Sequence, residues 1–104
     1  MAEIRWTLTA TEDLRLLEDW IARDSVLNAV EFTDRLVGSV DKLADTPLIG
    51  RVVPEFGRDR LREIIFRGYR VVYMVEGRAV TVLRVLHGAL DLRKLATRDP
   101  WSFE

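Results

Sequence analysis

The chain has 104 residues, of which 48% are hydrophobic and 32% are charged, with a net charge of −1 and no cysteine. This composition excludes collagen-like and disordered chains, and the absence of thiols excludes a disulfide scaffold. No uncharged run approaches the roughly 20 residues of a membrane span and no apolar stretch follows a basic start, so we expect one domain over residues 1–104 of a cytoplasmic protein.

The N-terminal residues predict a strand followed by a helix. Residues Glu3–Leu8 alternate loosely and are rich in residues that favour β-structure, which indicates a first strand. Thr9 and Glu12 have the spacing of a capping box, and apolar residues then recur at helical spacing. We therefore expect the first helix over residues 10–23.

A second helix follows almost at once. Asp24 and Ser25 are both competent to cap it, and apolar residues recur every three or four positions after them. The helix should end before Pro47, because a residue that precedes proline disfavours helical geometry. Since only one or two residues separate the two helices, they should form an antiparallel hairpin.

The second half of the chain predicts a small sheet. Residues 45–57 contain two prolines and two glycines, which is typical of a loop or an extended crossing segment. Three β-rich runs come next, over residues 61–68, 69–76 and 78–88, and they predict an antiparallel meander.

The remaining residues allow one short helical turn before Pro100, and Trp101 and Phe103 should find buried positions. The predicted order is β-α-α-β-β-β. This is an α+β fold in which a helical hairpin packs on a small twisted antiparallel sheet.

The last predicted hairpin contains unusual charged residues. If a two-residue turn follows Glu76, Arg70 pairs with Val85, and alternation places Arg70 and the single histidine, His87, on one face. A β-bulge would change that register. Arg84, which lies between apolar neighbours, should reach the rim of the sheet.

Charge is distributed unevenly along the chain. Residues 1–50 carry five basic and ten acidic side chains, whereas residues 51–94 carry ten basic and five acidic ones. All but two of the basic residues in the chain are arginines, which bind carboxylates and phosphates bidentately. The second half therefore favours contact with an anionic partner.

Four short motifs occur in a characteristic order: Gly50–Glu55, Arg62–Glu63, Tyr69–Tyr73 and Val85–Gly88. In this order and spacing the chain resembles the RelE/ParE superfamily of toxins from bacterial type II toxin–antitoxin modules. The resemblance implies the fold predicted above. It also implies a cognate antitoxin, bound in a heterodimer or heterotetramer, and neither a cofactor nor a metal.

The superfamily combines two activities. Its RelE-like nucleases cut messenger RNA on the ribosome, and the resemblance places their catalytic groups at Glu55 as base, Arg70 as phosphate clamp and His87 as acid or orienting group. Its ParE-like members inhibit DNA gyrase. The aromatic residue that follows the histidine in the nuclease branch is replaced here by Gly88, and the lysines of that branch are missing. We therefore expect gyrase inhibition slightly more than RNA cleavage.

A structural role is as strong an interpretation of the charged residues as catalysis. An arginine that faces a core needs a partner, and Glu55 is available to form an ion pair with Arg70. The residues that we expect to bind the target, ribosome or gyrase, are Arg51, Arg62, Tyr69 and Arg84.

Overall fold

The computed structural model describes residues 1–94 of the chain. Its regular elements are β1 (Glu3–Trp6), α1 (Leu8–Ala22), α2 (Val26–Asp41), β2 (Arg51–Val52), β3 (Leu61–Phe66), β4 (Tyr69–Glu76) and β5 (Ala79–His87). Residues 92–94 are helical. The rest of the predicted C-terminal turn, together with Trp101 and Phe103, lies outside the described residues. None of the helices over residues 1–94 is both long and apolar enough to cross a membrane.

The five strands form one sheet in the order β1-β5-β4-β3-β2. The predicted meander is confirmed, since β3, β4 and β5 pair antiparallel in sequence order. The prediction of a wholly antiparallel sheet is wrong, because β1 pairs parallel with β5. A run of β-rich residues shows that a strand exists but not which strand it joins. The two-residue strand β2 was also missed, within the segment expected to be a crossing loop.

The first helix begins two residues earlier than its sequence pattern indicated. Thr7, not Thr9, is the N-cap, and its hydroxyl accepts a hydrogen bond of 3.0 Å from the amide of Ala10. The amide of Thr7 itself donates to the carbonyl of Val82, which fixes the cap at the end of the sheet. Glu12 pairs instead with Arg15 on the surface of α1.

The second helix confirms its predicted start. The hydroxyl of Ser25 accepts a hydrogen bond of 3.1 Å from the amide of Asn28. The helix ends at Asp41 and tightens into a 3-10 turn over Lys42–Ala44, before Pro47 as expected. Together α1 and α2 form the predicted helical hairpin, which packs on one side of the sheet.

The two faces of the sheet bury different clusters. The helix-side face carries Val71, Tyr73, Val80, Val82 and Val85, which pack with α1 and α2 residues that include Ala10, Leu17, Leu36, Val40 and Leu43. The outer face, on the opposite side, carries Val72, Met74, Leu83 and Leu86, which pack with Leu61, Val53 and Leu92. The segment between β2 and β3 and the turn after β5 therefore cover the outer face.

A β-bulge in the last hairpin changes the predicted register. Glu76 faces Ala79 across the two-residue turn, as expected, but the pairing shifts by one residue beside Val72 and Tyr73. As a result Arg70 pairs with Leu86, not with Val85. Since paired residues share a face, His87 lies on the face of its partner Tyr69. The prediction that Arg70 and His87 share one face is wrong.

Candidate functional site

The outer face is built around a buried arginine in β4. The side chain of Arg70 is 5% exposed, and its two terminal nitrogens donate to both carboxylate oxygens of Glu55, at 2.6 and 2.7 Å. One of these nitrogens also donates to the carbonyl of Leu90 at 3.2 Å. The expected ion pair between Arg70 and Glu55 is present, and it fastens both the crossing segment and the turn after β5 to the sheet.

Glu63 is the central residue of the site, and its place in the Arg62–Glu63 motif of the sequence did not predict this role. Its side chain is fully buried, and it accepts hydrogen bonds of 2.6 Å from the Nε atoms of both Arg70 and Arg51. Arg51 and Glu63 are direct cross-strand partners in β2 and β3. One signal was available in the sequence: Glu63 lies on the same face of its strand as Leu61 and Ile65, and that strand runs beside the one that carries Arg70. We name the chain Glu55–Arg70–Glu63–Arg51 the outer-face ion network.

Hydrogen bonding fixes the charge state of this network. The bonds from Arg70 lower the pKa of Glu55 from 4.5 to about 2, because they favour the ionised carboxylate more strongly than burial opposes it. The amide of Leu92 adds a further bond to Glu55, at 3.3 Å. The hydrogen bonds of Arg70 to Glu55 and, to a smaller extent, to Glu63 raise the pKa of Arg70 above its ordinary value, against the opposing effect of burial. At neutral pH both groups are therefore charged, and Glu55 is a weak base.

The segment that leads into β2 is held by two side chains from the sheet. The hydroxyl of Tyr73 donates to the carbonyl of Pro47 at 2.7 Å and accepts from the amide of Gly50 at 3.0 Å. A Cβ atom at Gly50 would lie 2.5 Å from that hydroxyl, so only glycine allows this approach. Arg62 donates to the carbonyls of Leu48 and Gly50. Arg62, one of the predicted target-binding residues, thus supports the segment, and its binding role stays a prediction.

His87 lies apart from the network. Its ring packs edge-on against Tyr69, with 5.7 Å between the ring centroids, and Tyr69 in turn packs against Phe32. Its Nδ1 accepts a hydrogen bond of 3.2 Å from the amide of Ala89. Of the three residues proposed to act together in a nuclease, the fold brings Glu55 and Arg70 together and places His87 on the other face. Tyr69 packs in this aromatic group, and its expected contact with the target stays a prediction.

Arg84 does not reach the rim of the sheet, which corrects the expected position. Its side chain is 9% exposed and forms an ion pair with Asp13 of α1, with 2.8 Å between Nε and a carboxylate oxygen. The same carboxylate accepts the amide of Val85. The bulge beside Arg84 makes this contact possible, and a sequence pattern does not reveal a bulge. A role in target binding stays a prediction for Arg84.

The charged residues of this site are matched with each other rather than arranged for a cation. Within residues 1–94, no group of three histidine, cysteine, aspartate or glutamate side chains is placed to hold a metal ion. Arg51 is the network member that reaches the surface, where 60% of its side chain is exposed. The arrangement can therefore present a positive charge at the edge of the sheet.

Comparisons with known proteins agree with this architecture. Residues 4–92 match a family model described as the ParE toxin of the type II toxin–antitoxin system parDE. Toxin RelE2 of Caulobacter vibrioides is 33% identical over 90 residues, which cover 86% of this chain and 98% of that protein. A structure titled "Chromosomal ParDE TA system from P. aeruginosa" superposes with a TM-score of 0.70 at 20% identity, covering 84% of this chain and 96% of that one.

Proposed function

The chain belongs to the ParE toxin family of type II toxin–antitoxin systems, and we propose that its activity is to bind and inhibit bacterial DNA gyrase, not to cut RNA. Its activity is restrained by a cognate antitoxin, and both act in the cytoplasm. The observation that carries the proposal is the outer-face ion network. This network engages Glu55 and Arg70, two of the three groups that a nuclease of the superfamily would need.

RNA cleavage through the 2′-hydroxyl needs a base, a phosphate clamp and an acid around one phosphate. Glu55, with a pKa of about 2, is ill suited to remove a proton at neutral pH. The guanidinium of Arg70 already donates from all three nitrogens to Glu55, Glu63 and Leu90. A phosphate would have to displace a carboxylate that is bound at two points. His87 lies across the sheet, so it cannot protonate a leaving group held at Arg70.

Gly88 supports the same proposal on steric grounds. A Cβ atom at this position would lie 2.7 Å from the carbonyl oxygen of Gly68, to which the amide of Gly88 donates. The aromatic residue that stacks on the substrate in the nuclease branch would therefore require the backbone to move. The glycine at this position goes with a close approach between the turn that precedes β4 and the residue that follows β5, which leaves no room for a stacking platform.

The test is controlled expression in bacteria with two parallel readouts, messenger cleavage at ribosomal A-site codons and the DNA-damage response. We expect a DNA-damage response with intact messenger, and rescue of growth when the antitoxin encoded beside the gene is co-expressed. His87→Ala should keep full toxicity, since His87 is exposed and belongs to a different face from the network. Purified protein should also inhibit supercoiling by gyrase.

His87→Ala is the informative variant because Arg70→Ala is expected to disturb folding. Messenger cleavage that disappears in His87→Ala would reject gyrase inhibition and favour the nuclease alternative. Induction without any loss of growth would reject both activities.

A further inference from the structure

We propose that Arg51 and Ile49, at the β2 edge of the sheet, form the docking surface for a carboxylate flanked by apolar side chains on the toxin's protein target. This inference rests on the proposed function and names the surface through which that function is exerted. The occupant proposed is the protein target, and binding of the antitoxin or of a nucleic acid at this surface is an alternative outcome of the experiment.

One nitrogen of the Arg51 guanidinium is bonded within the protein, and the other two remain available to a partner. Its Nε atom donates to the buried carboxylate of Glu63 at 2.6 Å, and this is the only bond of its guanidinium to residues 1–94. The carboxylate of Glu63 is itself held by Arg70, so the acceptor to which Arg51 is bonded has a fixed position. The two terminal nitrogens of Arg51 donate to none of residues 1–94, which leaves them available for bidentate contact with a carboxylate. An arginine restrained in this way loses less conformational entropy on binding than a mobile one.

Two exposed apolar residues lie just before Gly50 and Arg51 in the segment that leads into β2. Leu48 is 54% exposed and Ile49 is 70% exposed, although the backbone around them is tied to Tyr73 and Arg62. Rigid backbone that presents large apolar side chains to water costs solvation free energy unless a partner covers them. The combination of arginine and apolar residues is typical of the energetic centre of a protein interface. A nucleic-acid backbone would match the arginine but leave Leu48 and Ile49 uncovered.

The sheet offers its edge at the same place. β2 is an edge strand of only two residues, and it pairs with β3 on one side. A partner segment can therefore approach Arg51 from the open side of the sheet. Because Arg51 reaches outward from the network, the approaching group that complements it is an anion.

The opposite edge of the sheet provides a matched control. Arg5 lies on the edge strand β1, and its side chain is 59% exposed, against 60% for Arg51. Its partner Glu3 is 65% exposed, so this pair is open to water and salt, whereas the partner of Arg51 is fully buried. The two arginines thus share exposure and strand position but differ in how they are held. Val26, which is 66% exposed on α2, serves as the control for Ile49.

The experiment measures inhibition of DNA supercoiling by purified toxin and purified gyrase. Arg51→Ala and Ile49→Ser should each raise the toxin concentration for half-inhibition about tenfold or more, as removal of interface anchors does. Arg5→Ala and Val26→Ser should change it less than about twofold. Arg51→Lys keeps the charge but loses the Nε contact, and it should also weaken inhibition. Nε–H exchange in nuclear magnetic resonance should be slower at Arg51 than at Arg5.

Three other outcomes would overturn the proposed docking surface, and they differ in what they imply for the proposed function. If the wild-type protein inhibits gyrase and Arg51→Ala matches Arg5→Ala, the docking surface is wrong while the proposed function stands. If the wild-type protein does not inhibit gyrase, the proposed function and this inference fail together. Retained inhibition with lost binding to the antitoxin, or to a single-stranded RNA probe, would assign the surface to that partner and overturn the inference.

Discussion

The two faces of the sheet are buried by different means. On the helix-side face, Val71, Tyr73, Val80, Val82 and Val85 meet the apolar side chains of the helical hairpin. On the outer face, apolar residues surround an ion network whose central carboxylate and guanidinium are 0% and 5% exposed. Apolar contacts tolerate small adjustments of position, whereas a buried charge depends on each of its partners. The outer face is therefore the specific but fragile one.

Arg70→Ala should produce the largest loss of stability among single changes in the network. It would leave the buried carboxylate of Glu63 without one of its two partners and Glu55 without its bidentate contact. We expect the free energy of unfolding to fall by about 3–5 kcal/mol, the usual cost of breaking a buried ion pair from one side. Urea denaturation followed by circular dichroism measures it.

A matched pair of variants sharpens the contrast between the faces. Leu36→Ala on the helix-side cluster should cost about 2–5 kcal/mol, as a cavity does in an apolar core. On the outer face, replacing both partners of the buried ion pair by leucine removes the unpaired charge that a single substitution leaves. The double variant Arg70→Leu with Glu63→Leu should therefore have a higher free energy of unfolding than Arg70→Ala. If the loss of unfolding free energy in the double variant equalled the sum of the losses caused by Arg70→Leu and by Glu63→Leu alone, the outer face would not depend on paired charge.

The elements of the fold were largely predictable because their signals are local. Apolar spacing and cap-competent residues such as Ser25 indicated the helical hairpin, and β-rich runs between glycines indicated the meander. Strand partners depend on contacts between distant segments, so the parallel pairing of β1 with β5 had no local signature. The short strand β2 was missed for a similar reason, since two residues carry no periodicity.

Only part of the outer-face ion network could be predicted from the sequence, and its geometry could not. The resemblance indicated Glu55, Arg70 and His87 by type and order, yet one extra residue in β5 moved His87 to the other face. A bulge reverses the side-chain alternation beyond it, and its cause lies in packing rather than in local propensity. The role of Glu63 was missed because burial of a carboxylate depends on two arginines that arrive from β2 and β4.

Acid should act on the outer face through Glu55. Its pKa is lowered from 4.5 to about 2 in the folded protein, so its stabilising contribution is complete above about pH 4.5 and is lost as the pH falls towards 2. The shift corresponds to about 3 kcal/mol. The difference in unfolding free energy between wild type and Glu55→Gln should therefore shrink over this pH range. A difference that stays constant from pH 6 to pH 2, in measurements made by urea titration at each pH, would contradict the bidentate pair.

His87→Ala should have the smallest effect, and it tests whether the two faces are independent. The exposed ring contacts Tyr69 edge-on, so its loss should cost about 0.5–1.5 kcal/mol. Among residues 1–94 the side chains of His87 and Glu55 share no hydrogen-bond partner, so the double variant His87→Ala with Glu55→Gln should equal the sum of the single effects within about 0.5 kcal/mol. Glu55→Gln with Arg70→Lys should deviate from additivity by more, because those residues are bonded to each other. A coupling free energy between His87 and Glu55 as large as that within the ion pair would show that the two faces are energetically coupled. A catalytic arrangement of Glu55, Arg70 and His87 would then have to be reconsidered.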